Sequence, residues 1–309
     1  MQEKIGNVVL QMQYYPGQDF YSDGEIEDHM LDIAKTYGDI EYSSVIDKEK
    51  SWPVLYHFSH VRENIVNWLP ISKKDNVLEI GSGCGAITGT LSEMAGQVQC
   101  IELSKKRSLI NAYRHREKNN INILLGNFQE IEPNLTEKYD WITLIGVFEY
   151  SEKYIETKEP YKEMLLRIKQ HLKPNGKIVI AIENRLGIKY WAGCTEDHVG
   201  KYFEGIEGYT NTTGIKTFSK KELEAIIRAT GEWNIDFYYP YPDYKLPLTI
   251  YSDQYLPKRN ELNNTRYNFD RERIQLFDET RVYDGIIDNG LFQEFSNSFL
   301  VILEEKCHG

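Results

Sequence analysis

Val77-Leu-Glu-Ile-Gly-Ser-Gly-Cys-Gly-Ala86 decides the fold of this chain, because an apolar run opens there into three closely spaced glycines. Gly81, Gly83 and Gly85 lack a Cβ atom, so the backbone can turn sharply out of a strand and approach a ligand closely. Glu102 ends the next apolar run, where a carboxylate can accept hydrogen bonds from both ribose hydroxyls of an adenosine ligand. The pattern predicts an adenosine-containing ligand at a strand-to-helix turn.

Short apolar runs alternate with amphipathic segments on either side of this turn. The predicted strands are Asn76–Ile80, Gln97–Glu102, Ile121–Gly126, Trp141–Val147 and Lys177–Ile182. The predicted helices are 54–69, Ala86–Met94, Lys105–Lys118 and Pro160–His171, the last one ended by the turn residues 173–176. Such alternation indicates a parallel sheet that is covered by helices on both faces.

Further elements are predicted downstream. Ser219 and Glu222 form a capping pattern that starts a helix, and two late strands follow at Trp233–Tyr239 and Ser298–Leu303. The roughly 60 residues between these strands exceed a normal connection and predict a cap or insertion. We therefore predict an α/β chain with a Rossmann-like, seven-stranded, mostly parallel sheet and helices on both faces. An N-terminal helical lid precedes the sheet, and a C-terminal insertion precedes the last strand.

The predicted boundaries follow from these elements. Residues 1–70 form the N-terminal lid and leading helix, residues 71–240 form the Rossmann-like core, residues 241–297 form the cap or insertion, and residues 298–309 form the final strand and tail.

The glycine pattern also satisfies the fingerprint of dinucleotide-binding proteins, so the adenosine ligand needs further evidence. Glu79 lies two residues before Gly81, where it would repel a pyrophosphate and favour a cationic amino acid. About 75 residues precede the first strand, whereas dinucleotide fingerprints often open a chain.

The order of the motifs from 75 to 185 resembles that of class I S-adenosylmethionine-dependent methyltransferases. The resemblance implies S-adenosylmethionine as cofactor, with S-adenosylhomocysteine as product, and Glu102 as the ribose acid. It implies that Asn127 and Phe128 contact the adenine, although Asn127 replaces the more usual Asp. It also implies that Gly146 and Glu149, in the segment 145–150, line the methionine portion of the cofactor.

A narrower resemblance spans most of residues 50–300. The segments 56–64, 181–193, 196–198 and 237–247 are similar to methyltransferase modules of bacterial surface-glycan and natural-product pathways. This resemblance implies an O-methyltransferase whose acceptor is a sugar hydroxyl, or a carboxylate of a small molecule or peptide. Two other functions stay open, namely an NAD(P)-dependent oxidoreductase and a non-catalytic binding protein with the same fold.

Candidate acceptor-site residues follow from residue type and position. His198 comes directly after Glu196 and Asp197, which can raise its pKa, and it is the first candidate general base, with His57 as the second. Arg62 can clamp the cofactor's carboxylate, or it forms an ordinary surface pair. Three other residues are candidates for the acceptor pocket alongside Glu196: Tyr21, Tyr190 and Trp191.

Charge and composition exclude several classes of partner. The net charge is −11 and no basic stripe is present, which disfavours a long nucleic-acid substrate. The four cysteines form no C-x-x-C pair, and His57-x-x-His60 has no third ligand nearby, so no metal is expected. No apolar run is long enough to span a membrane and no secretion signal is present, so we expect a cytoplasmic protein. The oligomeric state stays open.

Overall fold

The computed structural model describes residues 2–19, 24–263 and 273–306. Its contacts divide the chain into two compact units, the first of which comprises Met1–Leu144 and Ile168–Lys177. The second unit comprises Ile145–Arg167 and Ile178–Gly309.

Six strands and six α-helices lie wholly or almost wholly in the first unit. The strands are β1 (Gln2–Ile5), β2 (Val8–Tyr14), β3 (Asn76–Ile80), β4 (Gln97–Glu102), β5 (Ile121–Gly126) and β6 (Tyr139–Ile145). The helices are α1 (Glu25–Thr36), α2 (Tyr42–Glu49), α3 (Trp52–Phe58), α4 (Thr88–Met94), α5 (Lys105–Arg114) and α6 (Phe128–Ile131).

The sheet of the first unit has the strand order β1-β2-β5-β4-β3-β6. All its pairs are parallel except the antiparallel hairpin of β1 and β2. The last four residues of β3 are buried, as expected for a central parallel strand whose two faces are covered. The predicted bounds of β3, β4 and β5 are confirmed.

The N-terminal residues differ from the prediction, which assigned them to a lid. Residues 2–14 form the hairpin of β1 and β2 instead, and β2 pairs in parallel with β5. Val8 and Leu10 are fully buried in this strand. The sequence of β2 contains only a short apolar run, which does not predict a strand by itself. The strand is stabilised by its pairing with β5.

The helix predicted over residues 54–69 is also wrong in its extent. Helix α3 ends at Phe58, Ser59 adopts an extended conformation, and a separate 3₁₀ helix covers His60–Ile65. The Ser59 hydroxyl caps that second segment by accepting the Val61 N–H at 3.2 Å. Serine competes in this way with helix continuation, because its side chain offers the backbone another partner.

Helices α1, α2 and α3 share an apolar core with the glycine loop and α5. Its buried members are Met30, Ile33, Ala34, Tyr42, Val45, Val54, Phe58, Cys84 and Ile110. The N-terminal helices therefore belong to the packed body of the first unit.

Over its described residues the second unit contains six α-helices and four strands, the first of which begins in the first unit. The strands are β7 (Leu172–Glu183, entering from the first unit), β8 (Trp233–Tyr241), β9 (Thr249–Ser252) and β10 (Ser298–Glu305). The helices are α7 (Ser151–Tyr154), α8 (Pro160–Lys169), α9 (Ile188–Trp191), α10 (Lys220–Arg228), α11 (Glu279–Asp288) and α12 (Phe292–Phe295).

The order in the second unit is β7-β10-β8-β9, and β8 pairs antiparallel with both β10 and β9. Strand β9 lies within residues 241–297, so this predicted cap or insertion contributes a strand. Over the part of the chain that the structure describes there are ten strands, and the predicted count of seven is wrong. The additional ones are β1, β2 and β9, which are short or weakly patterned. No helix within these described residues is long and apolar enough to cross a membrane.

Candidate functional site

The glycine loop after β3 has the backbone conformation that its sequence predicts. Gly81, Gly83 and Gly85 have φ values of 72°, 52° and 76°, in the left-handed region that favours glycine. No atom lies within 4 Å of the position that a Cβ on Gly83 would take, so the loop is open at its centre. Cys84 points the other way into the apolar core, where burial raises the pKa of its thiol to about 12.

Glu102 lies beside this loop at the end of β4. Its Oε2 accepts the Gly83 N–H at 2.7 Å and its Oε1 accepts the Ser104 N–H at 2.9 Å. The side chain is buried, which raises its pKa, while the charge of Arg107 lowers it. The two backbone bonds fix both oxygens, and each oxygen keeps a second lone pair for a ligand.

Glu79, near the end of β3, is buried and its hydrogen bonds go to α4 and β4. Its Oε2 accepts hydrogen bonds from Thr88 Oγ1 at 2.7 Å and from Cys100 Sγ at 3.4 Å. Burial raises the pKa of Glu79 to about 7. The carboxylate therefore ties β3 to α4 and β4, and its predicted contact with the cofactor stays a prediction.

Asn127 and Phe128 follow β5, as the motif order predicts. Asn127 caps α6, because its Oδ1 accepts the Gln129 N–H at 3.0 Å. Phe128 is buried at the first position of that helix.

His57 and Arg62 are both buried in the first unit. Burial lowers the pKa of His57 well below its ordinary value, and the charges of Arg107 and Arg62 lower it further. His57 is therefore neutral. The Arg62 guanidinium lies 4.3 Å from the centre of the Tyr56 ring. Because Arg62 is buried, its interpretation as an ordinary surface ion pair is wrong.

Gly146 lies in the second unit, directly after β6. Its φ is 70°, and a Cβ there would lie 2.8 Å from the Tyr244 hydroxyl, so glycine is required. Its N–H donates to the Ala181 carbonyl of β7 at 2.9 Å.

Glu149, Glu183 and His198 form a buried group in the second unit, here named the carboxylate–histidine cluster. His198 Nε2 lies 3.3 Å from Glu183 Oε2 and 3.9 Å from Glu149 Oε1. Tyr150 Oη contacts the other ring nitrogen, Nδ1, at 3.1 Å. Both ring nitrogens of His198 are therefore engaged.

Charges within the carboxylate–histidine cluster shift its titration. Burial lowers the pKa of His198, but the carboxylates of Glu183 and Glu149 more than offset this and raise it to about 9. Burial and the charge of Glu183 raise the pKa of Glu149 to about 8. A general base must first lose its proton, and the raised pKa of His198 disfavours that loss. The general-base role of His198 stays a prediction.

Two lysines, Lys189 buried and Lys245 partly buried, compensate the charges of the acids next to this cluster. Lys245 Nζ lies 2.8 Å from Glu183 Oε1 and 2.7 Å from Asp197 Oδ1. Lys189 Nζ lies 2.7 Å from Asp197 Oδ2, and Tyr190 also donates its hydroxyl to Asp197. These pairs bring β7, α9 and the segment after β8 together within the second unit.

The remaining predicted acceptor-site residues have different environments. The Glu196 carboxylate is buried and accepts three hydrogen bonds, from His198 N, Val199 N and Tyr209 Oη. Tyr190 is buried, whereas Trp191 keeps 40% of its surface exposed. Of the three that lie among the described residues, Trp191 is the side chain with surface to offer a ligand. Tyr21 lies outside the described residues.

Sequence reasoning missed Glu183, Lys189 and Lys245. Glu183 ends β7 as Glu102 ends β4, and this position at the end of a strand could have identified it as a site residue. The two lysines had no signal, because their pairing with Asp197 depends on the tertiary fold.

Comparisons with known proteins agree with this geometry. Residues 78–178 match the family model described as a methyltransferase domain. The ubiquinone biosynthesis O-methyltransferase of Rickettsia typhi is 27% identical over 210 residues, which cover 61% of this chain and 81% of that protein. The small-subunit ribosomal RNA methyltransferase A of Clostridium botulinum is 31% identical over 52% of this chain and 55% of its own length.

A solved structure shares the fold. Phosphoethanolamine N-methyltransferase 1 of Haemonchus contortus, in complex with phosphoethanolamine and S-adenosylhomocysteine, has a TM-score of 0.50 and 14% identity. The match covers 94% of this chain and 52% of that one, so this chain spans about half of its length.

Proposed function

We propose that this chain is an S-adenosylmethionine-dependent methyltransferase that methylates an oxygen atom of a polar biosynthetic acceptor. That acceptor is a sugar hydroxyl, or a carboxylate of a small molecule or peptide. The observation that carries the cofactor part is the Glu102 carboxylate, held by the N–H groups of Gly83 and Ser104 beside an open glycine loop.

The residues of the first unit fit the parts of this cofactor. Glu102 accepts hydrogen bonds from the ribose hydroxyls, and the open backbone at Gly83 lets the ligand approach. Asn127 contacts the adenine edge through its amide N–H groups, since its Oδ1 already caps α6. Arg62 binds the cofactor's carboxylate, which is the ligand that a buried guanidinium recognises best.

The chemistry of the cofactor limits what the protein has to do. When bound, it supplies a methyl group that is already activated on a sulfonium, so the protein mainly aligns the acceptor and excludes water. A hydroxyl acceptor benefits from a general base, whereas a carboxylate acceptor needs none.

Three observations support an oxygen acceptor of small size. The relative from Rickettsia typhi, matched over most of its length, is named an O-methyltransferase. The net charge of −11 is unfavourable for a long polyanion. Trp191 is exposed while its indole N–H donates to the Leu186 carbonyl at 3.2 Å, which fixes an aromatic face suited to a sugar ring or another polar organic group.

Calorimetric titration with S-adenosylhomocysteine tests the cofactor site. The wild-type protein should bind this product and should not bind NAD(P)H, and Glu102→Ala should weaken binding on the order of 100-fold, since two or more hydrogen bonds to the ribose are lost. Glu130→Ala is the matched control, because it removes an exposed carboxylate of α6 and should leave the affinity unchanged. Binding of NAD(P)H without S-adenosylhomocysteine would contradict the proposal and favour an oxidoreductase.

The methylated atom is tested with a cofactor that carries a ¹³C-labelled methyl group. Acceptors to be supplied are nucleotide sugars, small carboxylic acids and peptides with free C-termini. The carbon shift of the product distinguishes O-methyl from N-methyl, and release of methanol in mild alkali distinguishes an ester from an ether. An N-methyl or C-methyl product would overturn the proposed oxygen acceptor while leaving the methyltransferase assignment intact.

A further inference from the structure

The carboxylate–histidine cluster has the composition of a metal site, although its members are far apart in the sequence. Glu149 follows β6, Glu183 ends β7 and His198 lies in the loop after α9. One ligand atom of each side chain lies within 4.8 Å of the corresponding atoms of the other two. We propose that these three residues bind a divalent first-row transition metal ion.

The distances suit a single ion. Ligand bonds of about 2.0–2.2 Å, as such metals form with imidazole and carboxylate, place neighbouring donors roughly 3–4.4 Å apart. His198 Nε2 lies 3.3 Å from Glu183 Oε2 and 3.9 Å from Glu149 Oε1, within that interval. The oxygens of Glu149 and Glu183 lie within 4.8 Å of each other, so rotation of these side chains is needed to bring all three donors to one centre.

Glu149 provides the second, independent observation. Its carboxylate is fully buried, and neither oxygen has a hydrogen-bond partner among the described residues. Burying a carboxylate without a hydrogen bond is costly, and buried charges in proteins are normally paired or coordinate a metal. His198 Nε2, at 3.9 Å, is too distant to satisfy it by a hydrogen bond.

The burial of the site also limits the size of its occupant. Glu149 and Glu183 expose none of their surface, and His198 exposes only 8% of its side chain. An organic acceptor cannot contact both carboxylates in this arrangement, whereas an ion can. The occupant is therefore of atomic size.

Neighbouring residues orient the donors as in metal sites. Tyr150 Oη contacts His198 Nδ1 at 3.1 Å, which fixes the ring and directs Nε2 towards the carboxylates. Lys245 holds the other Glu183 oxygen, Oε1, at 2.8 Å, and its own charge is shared with Asp197 at 2.7 Å. One imidazole and two carboxylates favour Mn²⁺, Fe²⁺ or Zn²⁺ over Ca²⁺.

The direct test is Mn²⁺ binding to protein that has been treated with a chelator and then dialysed. Electron paramagnetic resonance of the free ion should show one Mn²⁺ bound per chain. Glu149→Gln and His198→Ala should each weaken this binding on the order of 100-fold, because each removes one of three protein ligands. Glu152→Gln, an exposed carboxylate of α7, is the matched control and should bind Mn²⁺ like the wild type.

Thermal unfolding distinguishes a variant that has lost the metal from one that does not fold. The unfolding midpoint of the wild type should rise with Mn²⁺ or Zn²⁺ concentration, and that of Glu149→Gln should not. S-adenosylhomocysteine binding, measured without metal, reports separately on the methyltransferase function. The proposal is overturned if the wild type binds neither ion, or if Glu149→Gln and His198→Ala bind Mn²⁺ as tightly as the wild type.

Discussion

Gly85 is the position in the glycine loop where a side chain has demonstrably no room. A Cβ there would lie 2.5 Å from Asn111 Oδ1, and the φ of 76° is unfavourable for alanine. Asn111 cannot move freely, because its amide donates to Thr88 Oγ1 at 3.1 Å. Gly85→Ala should therefore lower the free energy of unfolding by at least about 1–2 kcal/mol and weaken S-adenosylhomocysteine binding. Urea denaturation and calorimetry measure both.

Gly285→Ala is the matched control for that substitution. Gly285 lies inside α11, has no atom within 4 Å of its would-be Cβ, and shows no positive φ. Alanine is the better helix former, so this variant should gain about 1 kcal/mol. If both glycine variants lost stability equally, strain at Gly85 would not be the cause.

Individual site residues can be predicted from the sequence where one short segment contains the complete motif. The glycine loop and Glu102 were identified from the sequence because the loop and the end of β4 follow from local patterns. His198 was singled out for its neighbours Glu196 and Asp197, yet the carboxylates that mainly raise its pKa are Glu183 and Glu149. Contacts between residues distant in the chain leave no periodic trace in the sequence.

Among the secondary-structure elements, α10 is one whose start a local sequence pattern predicts correctly. The Ser219-x-x-Glu222 pattern predicted its start, and the structure confirms a reciprocal capping box. Residues 2–14 carry no comparable signal, because β2 is stabilised by pairing with β5. Elements defined by their own sequence were predictable, and those defined by a partner strand were not.

The α10 cap gives a pH-dependent prediction. Glu222 Oε2 accepts the Ser219 N–H at 2.9 Å and a hydrogen bond from Arg185 Nε at 2.7 Å. Burial raises the pKa of Glu222, but these bonds more than offset it and lower the pKa from 4.5 to about 2. The stabilisation is thus complete above pH 4.5 and is lost as the pH falls towards 2. Glu222→Gln should cost about 1 kcal/mol at neutral pH, and less in acid.

Urea denaturation of both proteins between neutral and acid pH measures that difference. Glu224→Gln is the control on the same helix, since Glu224 makes an i,i+4 pair with Arg228 at 2.6 Å on an exposed face. It should cost less than about 0.5 kcal/mol. A stability gap between wild type and Glu222→Gln that stayed constant down to pH 2 would contradict the role of the charged carboxylate.

For the whole molecule, net charge bears on whether this chain shares the RNA acceptor of one of its relatives. That relative acts on ribosomal RNA by its name, and its similarity covers 52% of this chain. Proteins that bind long RNA offset the phosphate charges with lysine and arginine. This chain has 36 such residues against 47 acidic ones, so any RNA complex would add repulsion between like charges.

We therefore expect no functional binding of ribosomal RNA. At physiological salt, small-subunit RNA should bind more weakly than about 100 µM, which is the weak end of non-specific affinity for nucleic-acid-binding proteins. Filter binding at several salt concentrations measures this, with S-adenosylhomocysteine binding in the same preparation as evidence of native protein. Labelled cofactor should transfer no methyl group to that RNA. Micromolar binding that survives physiological salt, or a labelled RNA product, would show that basic residues are concentrated locally despite the net charge of −11.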